Sequence, residues 1–251
     1  MLNRPVNGSI RKKGENNMSD EQIAVIVGAG AGLSASLARK FAGAGMKIAL
    51  AARDTGKLAD LIAEVDAAAY TCDTSDPASV QALFSSVAKD LGTPEVVIFN
   101  ASRRVRGEIA EIDPEEVREA ILTTCYGGFL VGQEAAKLML PAGKGTIMFT
   151  GASAGVKGFP KSATFAMGKF GLRGLAQSMA RELHPQNIHI VHVVVDGGIR
   201  SVERGRTEDA GRGDDAWLLP DAIADTYYHL HTQHRSAWSW EIEVRPWVEG
   251  F

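Results

Sequence analysis

Apolar and polar positions along this chain fall into blocks whose period switches back and forth. Ile23-Ala24-Val25-Ile26-Val27 is an unbroken apolar, largely β-branched run, which reads as a strand covered on both faces. Leu33, Leu37 and Phe41 follow at helical spacing and the pattern stops at Gly45, predicting a helix over Leu33–Ala44 that packs on that strand. The pair then recurs. Met46–Ala52 predicts a second strand, Lys57–Val65 a helix and Ala67–Cys72 a short third strand. Asp76-Pro77 opens a helix through Val80, Leu83, Phe84 and Val87, with a capping acid and a first-turn proline. Glu95–Phe99 is a fourth strand, and Asp113-Pro114 caps a long helix through Ile121, Cys125 and Phe129 towards Met139. Pro141–Gly145 reads as a turn before a fifth strand at Thr146–Thr150. A helix over Thr164–Leu183, a sixth strand at Ile188–Val195, a helix from Ala222 to about His231 and a last strand within Trp238–Val248 complete the series.

Strand and helix alternating almost throughout predict an α/β fold: a doubly wound parallel sheet of about seven strands in three layers, of the Rossmann type. A length of 251 residues and an apolar fraction of 45% suit one such domain over residues 20–251. Residues 1–19 lack apolar periodicity and carry the basic patch Arg11-Lys12-Lys13. They read as a disordered extension, as sequence upstream of a start at Met18, or as an expression remnant. A net charge of −3 gives no reason to expect nucleic acid or an anionic membrane as partner. No apolar run approaches the roughly 18 residues of a spanning helix. Cys72 and Cys125 lie far apart without metal-ligand spacing, so no metal is expected and a reducing, cytoplasmic setting is. His189 and His192 alternate with apolar residues on the sixth strand and read as packing residues. His184 reads as a helix C-terminal partner, and His229, His231 and His234 form no metal-ligand arrangement.

The chemistry-bearing stretch is Gly28-Ala29-Gly30-Ala31-Gly32, placed between the first strand and the first helix. Glycines let the backbone turn tightly and approach a ligand, and the following helix N-terminus aims free N–H groups at it, which suits a diphosphate. About 20 residues on, a dinucleotide fold places the residue that reads the adenosine ribose. Here that is Ala52-Arg53. A guanidinium can hold a 2′-phosphate in a fork, so NADP(H) is favoured and NAD(H) is the alternative. Arg53 also reads as a solvated arginine paired with Asp54. Asp73 ends a strand at the carboxyl edge of the sheet, where it can accept from an adenine amino group or shape a turn. Arg200–Asp215 is charged, glycine-rich and aperiodic, as in a mobile lid; its arginines admit an anionic substrate or simple solvation. The small residues Ala166, Gly168, Gly171 and Gly174 mark one flank of a helix that packs closely on another backbone, a second subunit being one choice.

Taken in order, these residues resemble the short-chain dehydrogenase/reductase family over Gln22–Glu249. Gly28 to Ser34 resembles its cofactor turn, with Ser34 where a last glycine usually stands. Asn100-Ala101-Ser102 resembles its Asn-Ala-Gly motif, and Asp196-Gly197 stands where the family has Pro-Gly. The resemblance implies a nucleotide held by Gly28, Gly30, Ala31, Gly32 and Leu33, by Arg53, Asp73 and Thr74, by Asn100, Ala101 and Ser102, and by Thr150. Lys169, Asp196, Gly197, Gly198, Ile199 and Ser201 complete that set. It also implies a homodimer or homotetramer.

The resemblance breaks at the chemistry. In the family a tyrosine moves the proton at the substrate oxygen, a serine polarises that oxygen, a lysine binds the ribose and lowers the tyrosine pKa, and an asparagine anchors a relay water. The tyrosine position here is Phe165, the serine position Ala152 with Ser153 beside it, and the asparagine position Thr124; only Lys169 is kept. Ser153 then stands as oxyanion donor or turn residue, and Lys169 as proton source or ribose clamp. Ser162, Thr164 and Tyr126 are further polar candidates. Three readings follow: an NAD(P)-dependent oxidoreductase on a small carbonyl or alcohol, a nucleotide-binding sensor or assembly partner without redox chemistry, and a lyase or isomerase on the same scaffold.

Overall fold

The computed structural model describes residues 21–207 and 213–250, so the segment 1–19 and the centre of the expected lid lie outside the described residues. Seven strands form one parallel sheet: β1 (Ile23–Val27), β2 (Lys47–Ala52), β3 (Ala68–Thr71), β4 (Val96–Phe99), β5 (Gly145–Thr150), β6 (Ile188–Val195) and β7 (Glu241–Val244). Their order is β3-β2-β1-β4-β5-β6-β7. The chain therefore starts in the middle, winds out to one edge, returns, and winds out to the other. Register aligns the strand ends: Val27 sits beside Ala51 and Phe99, and Phe99 beside Phe149. The loops that follow β1, β4 and β5 consequently open onto one edge, the place where such sheets bind ligands.

The continuous apolar run of β1 and all of β6, its two histidines included, are buried at every position because helices cover both faces. On one face α1 (Leu33–Gly43), α2 (Ala59–Val65) and α7 (Pro220–His231) pack Leu37, Phe41, Leu61 and Tyr227 against Ile26, Ile48 and Leu50. On the other, α3 (Pro77–Asp90), α5 (Gly127–Ala142) and α6 (Ala163–Leu183) pack Phe84, Val131 and Leu172 against Val25, Val97 and Phe149. Burying a Leu or Phe side chain stabilises by about 1.5–3 kcal/mol, so these two apolar layers hold the sheet edge that carries the loops. The expected caps form: Asp76 accepts from the Ala78 N–H, and Asp113 from the Glu115 N–H at the start of α4 (Pro114–Ile121).

One expectation needs correction and others gain detail. The turn at Pro141–Gly145 begins later, because α5 runs through Ala142 with Pro141 inside it. The missing proline N–H falls in the last turn, and Gly143 at φ 66° ends the helix with its N–H on the Leu140 carbonyl. The long helix from Pro114 is continuous but contains a π-helical turn, Leu122–Tyr126, between α4 and α5. That turn accounts for Gly168 and Gly171 on α6, whereas a Cβ on Gly174 would meet nothing within 4 Å among the described residues. A Cβ on Gly168 would lie 3.0 Å from Thr124 Cβ, and one on Gly171 would lie 2.5 Å from Cys125 Sγ. The last strand lies within its expected stretch, at Glu241–Val244, and the described residues 200–207 of the expected lid carry local pairing. Ile199 bridges to Leu218 and Ser201 to Arg206 there.

Candidate functional site

The loops at the carboxyl edge enclose a cleft of about 1680 Å³. Its first wall is the glycine turn. Gly28 has φ 86°, and a Cβ there would stand 2.4 Å from the Ala101 backbone nitrogen, so strand β4 and the turn meet only because residue 28 has no side chain. The positions where Gly30 and Gly32 would carry a Cβ face open space. The N-terminus of α1 begins at Gly32 with no side chain capping it, leaving its N–H groups directed to the cleft. Ser34 ties the wall together: its hydroxyl donates to the Gly28 carbonyl at 3.1 Å and accepts from Asn100 Nδ2 at 2.7 Å. Open glycines, uncapped amides and a long cleft fit a dinucleotide diphosphate.

Ala31, Leu33, Arg53, Asp73 and Thr74 line the adjoining end, with Ala101 and Ser102 between it and the centre. Asp54 is engaged by the Gly56 N–H at 3.1 Å and by Lys57 Nζ at 3.2 Å, so the expected pairing of Arg53 with Asp54 gives way to one with Lys57. Asp73 does shape a turn, accepting from Ser75 N–H at 2.9 Å and Ser75 Oγ at 2.7 Å. Those bonds, with help from the Arg53 charge, hold its carboxyl below the usual range. Burial pushes the neighbouring Cys72 thiol up to about 11, which makes it inert.

The opposite end gathers Thr150, Ser153, Ser162, Phe165 and Lys169. Lys169 is carried by α6 and is 3% exposed, with its Nζ donating to the Thr150 carbonyl at 2.6 Å. Burial lowers its pKa from 10.5 to about 8. The Thr150 hydroxyl forms a 2.8 Å hydrogen bond with the hydroxyl of the fully buried Tyr227. Phe165 lies one helical turn from Lys169, its ring centroid 5.8 Å from Nζ. Ser153 opens a 3₁₀ turn, Ser153–Gly155, whose carbonyl accepts from the Val156 and Lys157 N–H groups. Asp196, at the end of β6, is held by Arg245 at 3.0 Å and lies 3.7 Å from Lys157. Gly197, Gly198, Ile199 and Ser201 continue the wall from it.

Three expected candidates stand outside the cleft lining. Thr124 is buried in the π turn, where its hydroxyl accepts from the Arg103 N–H at 3.1 Å, so it pins the loop after β4. Thr164 is buried with its hydroxyl unpartnered, and Tyr126 stacks on Phe129. The histidines of β6 are structural: His192 pairs with Glu241 at 2.9 Å, and burial lowers His189 to about 4 beneath the Trp238 ring. Sequence reasoning overlooked Arg104 and Arg106, which line the cleft on the loop after Asn100-Ala101-Ser102. The signal was there in Arg103-Arg104-Val105-Arg106, three cations directly beyond the Asn100-Ala101-Ser102 motif. Among the described residues no group of His, Cys, Asp and Glu is placed to hold a metal ion. No described helix is long and apolar enough to cross a membrane.

Known proteins give the geometry its context. A trans-4-hydroxycyclohexanecarboxylate dehydrogenase from Sinomonas cyclohexanicum is 33% identical over 181 residues, 68% of this chain and 70% of its own length. The crystal structure of a short-chain dehydrogenase from Rhodopseudomonas palustris is 35% identical, with a TM-score of 0.77 over 90% of this chain and 99% of that one. A metagenomic short-chain oxidoreductase in complex with NADP is 28% identical, with a TM-score of 0.78 over 91% of this chain and 98% of that one. The sequence pattern of the short chain dehydrogenase family matches residues 22–209. With the sheet order, the glycine turn and the cleft already in place, the chain belongs to the short-chain dehydrogenase family of NAD(P)-dependent oxidoreductases.

Proposed function

We propose that this protein is an NADPH-dependent oxidoreductase interconverting a small carbonyl compound and its alcohol, with Lys169 in place of a phenol as the proton-bearing group. The observation that carries the reading is the buried Lys169 ammonium, set at the cleft beside a phenylalanine and lowered to about 8. A general acid works best when its pKa lies near the working pH, and no hydroxyl at residue 165 competes for that role.

When bound, the nicotinamide nucleotide supplies the hydride. The N–H groups of Gly30, Ala31 and Gly32 and of the start of α1 would hold the diphosphate, since those of Gly28 and Ala29 already donate to the Ala51 carbonyl. Arg53 would take a 2′-phosphate and Asp73 would accept from the adenine. In the direction of reduction, the substrate oxygen accepts a hydrogen bond from the Ser153 hydroxyl, which among the described residues has no other partner. It then takes a proton from Lys169 Nζ, directly or through one water, and solvent returns that proton to the amine. Phe165 keeps water from the reacting oxygen and contributes no proton. The NADP complex of the metagenomic relative supports the choice of cofactor, and the Sinomonas relative is named for a hydroxycarboxylate, a small alcohol of the proposed class.

A second reading rests on the 2.6 Å bond from Lys169 to Thr150: an ammonium committed to that carbonyl makes a nucleotide-binding protein without turnover. Purified protein supplied with NADPH and a panel of small aldehydes and ketones separates the two. The proposal expects NADPH oxidation that falls about 10²–10⁴-fold in Lys169→Met and declines as pH rises through about 8. NADPH binding without oxidation of the cofactor by any carbonyl overturns it and leaves the second reading. In that case Lys169→Met weakens nucleotide binding alone.

A further inference from the structure

The cleft wall facing Phe165 carries a feature that the proton chemistry leaves unused. The guanidinium carbon of Arg104 lies 4.9 Å from the Phe165 ring centroid, so the ring at the reacting end has Lys169 and a guanidinium both within contact range. Stacking on an aromatic face orients a guanidinium and strips water from its flat sides, leaving its N–H edges for a ligand. Arg104 has company. Its pKa is lowered by burial and then by the charges of Arg106 and Arg206, so three guanidinium groups are close enough to repel one another. Two acids that line the cleft serve other cations: Glu108 bonds Lys161 at 2.5 Å, and Asp196 is held by Arg245 at 3.0 Å. Glu111 and Glu249 also reach the cleft, yet arginine and lysine outnumber carboxylates along its substrate end. Crowded like charges cost stability in the free protein, and an anion placed among them relieves that cost.

We infer that Arg104, with Arg106 and Arg206 lining the same cleft, is a specificity-determining subsite for a carbonyl substrate carrying its own anionic group, a carboxylate or a phosphate. The inference rests on the proposed carbonyl chemistry for its reaction but not for the anion site itself. The guanidinium fork grips the anion, which places the carbonyl of a short oxo acid or oxo phosphate towards Ser153 and Lys169. Arg104 keeps its proton throughout and acts only by position and charge.

The test compares wild type with Arg104→Gln and Arg104→Lys. Arg104 is on an exposed loop, so neither change removes a core group. Two matched pairs serve as probes: acetoacetate against methyl acetoacetate, and dihydroxyacetone phosphate against dihydroxyacetone. Binding is read by calorimetry without nucleotide, and KM and kcat are read with NADPH. We expect Arg104→Gln to weaken acetoacetate, dihydroxyacetone phosphate or both by about tenfold to a hundredfold, the range of a charge-assisted hydrogen bond. The neutral partners and the NADPH affinity stay unchanged, KM moves while kcat does not, and Arg104→Lys restores part of the loss. The arm that responds tells carboxylate from phosphate. An equal loss for charged and neutral probes, or no loss for either anion, overturns the inference. Anion binding that depends on Arg104 in a protein that never oxidises NADPH keeps the subsite and removes the redox reading, so the two failures are distinguishable.

Discussion

The two ends of the cleft are built from different materials. The end at the glycine turn is made mostly of backbone: a turn that exists because Gly28 lacks a side chain, an uncapped helix start, and Ser34 bridging the turn and the loop after β4. The end around Lys169 is made mostly of side chains from separate parts of the chain, with the backbone carbonyl of Thr150 among them. Lys169 and Phe165 come from α6, Thr150 from β5, Arg104 from the loop after β4, and Arg206 from beyond β6. A backbone site is specified locally and tolerates little change in position. A side-chain site is specified by how distant segments meet, and its chemistry changes with single residues while the fold stays.

The sharpest way to break the comparison is Gly28→Val. It forces a β-branched residue to φ 86° and drives a Cβ to 2.4 Å from Ala101 N, so we expect a loss of about 3 kcal/mol or more in urea unfolding. Arg104→Gln at the other end should leave the same unfolding midpoint almost unchanged. If both variants unfold alike, the division into backbone-built and side-chain-built ends is wrong.

Lys169 gives the next largest effect, and its sign is fixed. The amine titrates at about 8 when folded and near 10.5 when unfolded. Between those values the unfolded chain binds more protons, so the lysine makes stability rise with pH, by at most about 1.4 kcal/mol per unit. Lys169→Met should remove that rise. The raised Cys72 and Tyr227 groups act in the opposite direction but are present in both proteins, so the difference between the two unfolding series isolates the lysine. Parallel series from pH 8 to 10.5 would refute the buried ammonium.

The smallest effect belongs to Arg53→Gln, which should weaken NADPH by about tenfold, the loss of one charge-assisted contact, while leaving NADH unchanged. Fluorescence titration of the two nucleotides measures it. Equal weakening of both would assign Arg53 to the shape of the loop instead of to a phosphate.

The same contrast explains what could be read from the chain alone. β1 was legible to the residue because a continuous, largely β-branched run has few other outcomes, and β6 because β-branched residues surround its two histidines. The glycine turn was legible at Gly28, where a φ of 86° and the nearness of Ala101 leave no room for a side chain. The π turn at Leu122–Tyr126 was hidden, since one inserted residue scarcely alters an apolar period of 3.6. Its consequence, Thr124 turned inward onto the Arg103 N–H, was hidden with it. Pro141 suggested a stop because a proline disrupts a helix interior, yet in the last turn it removes little. Arg104 was missed for another reason: nothing local announces that a loop cation will land on a ring 61 positions later, and only the sheet order brings them together.

Thr150 makes the two helical layers answer to each other. One oxygen of this residue receives the lysine of α6 and the other meets the phenol of Tyr227 on α7, on opposite sides of the sheet. A ligand that draws Lys169 towards itself therefore tugs on a strand end whose hydroxyl anchors the far layer. Slower amide exchange along α7 on filling the cleft would be the visible trace of that linkage, felt across the sheet by a helix that borders none of the bound molecule.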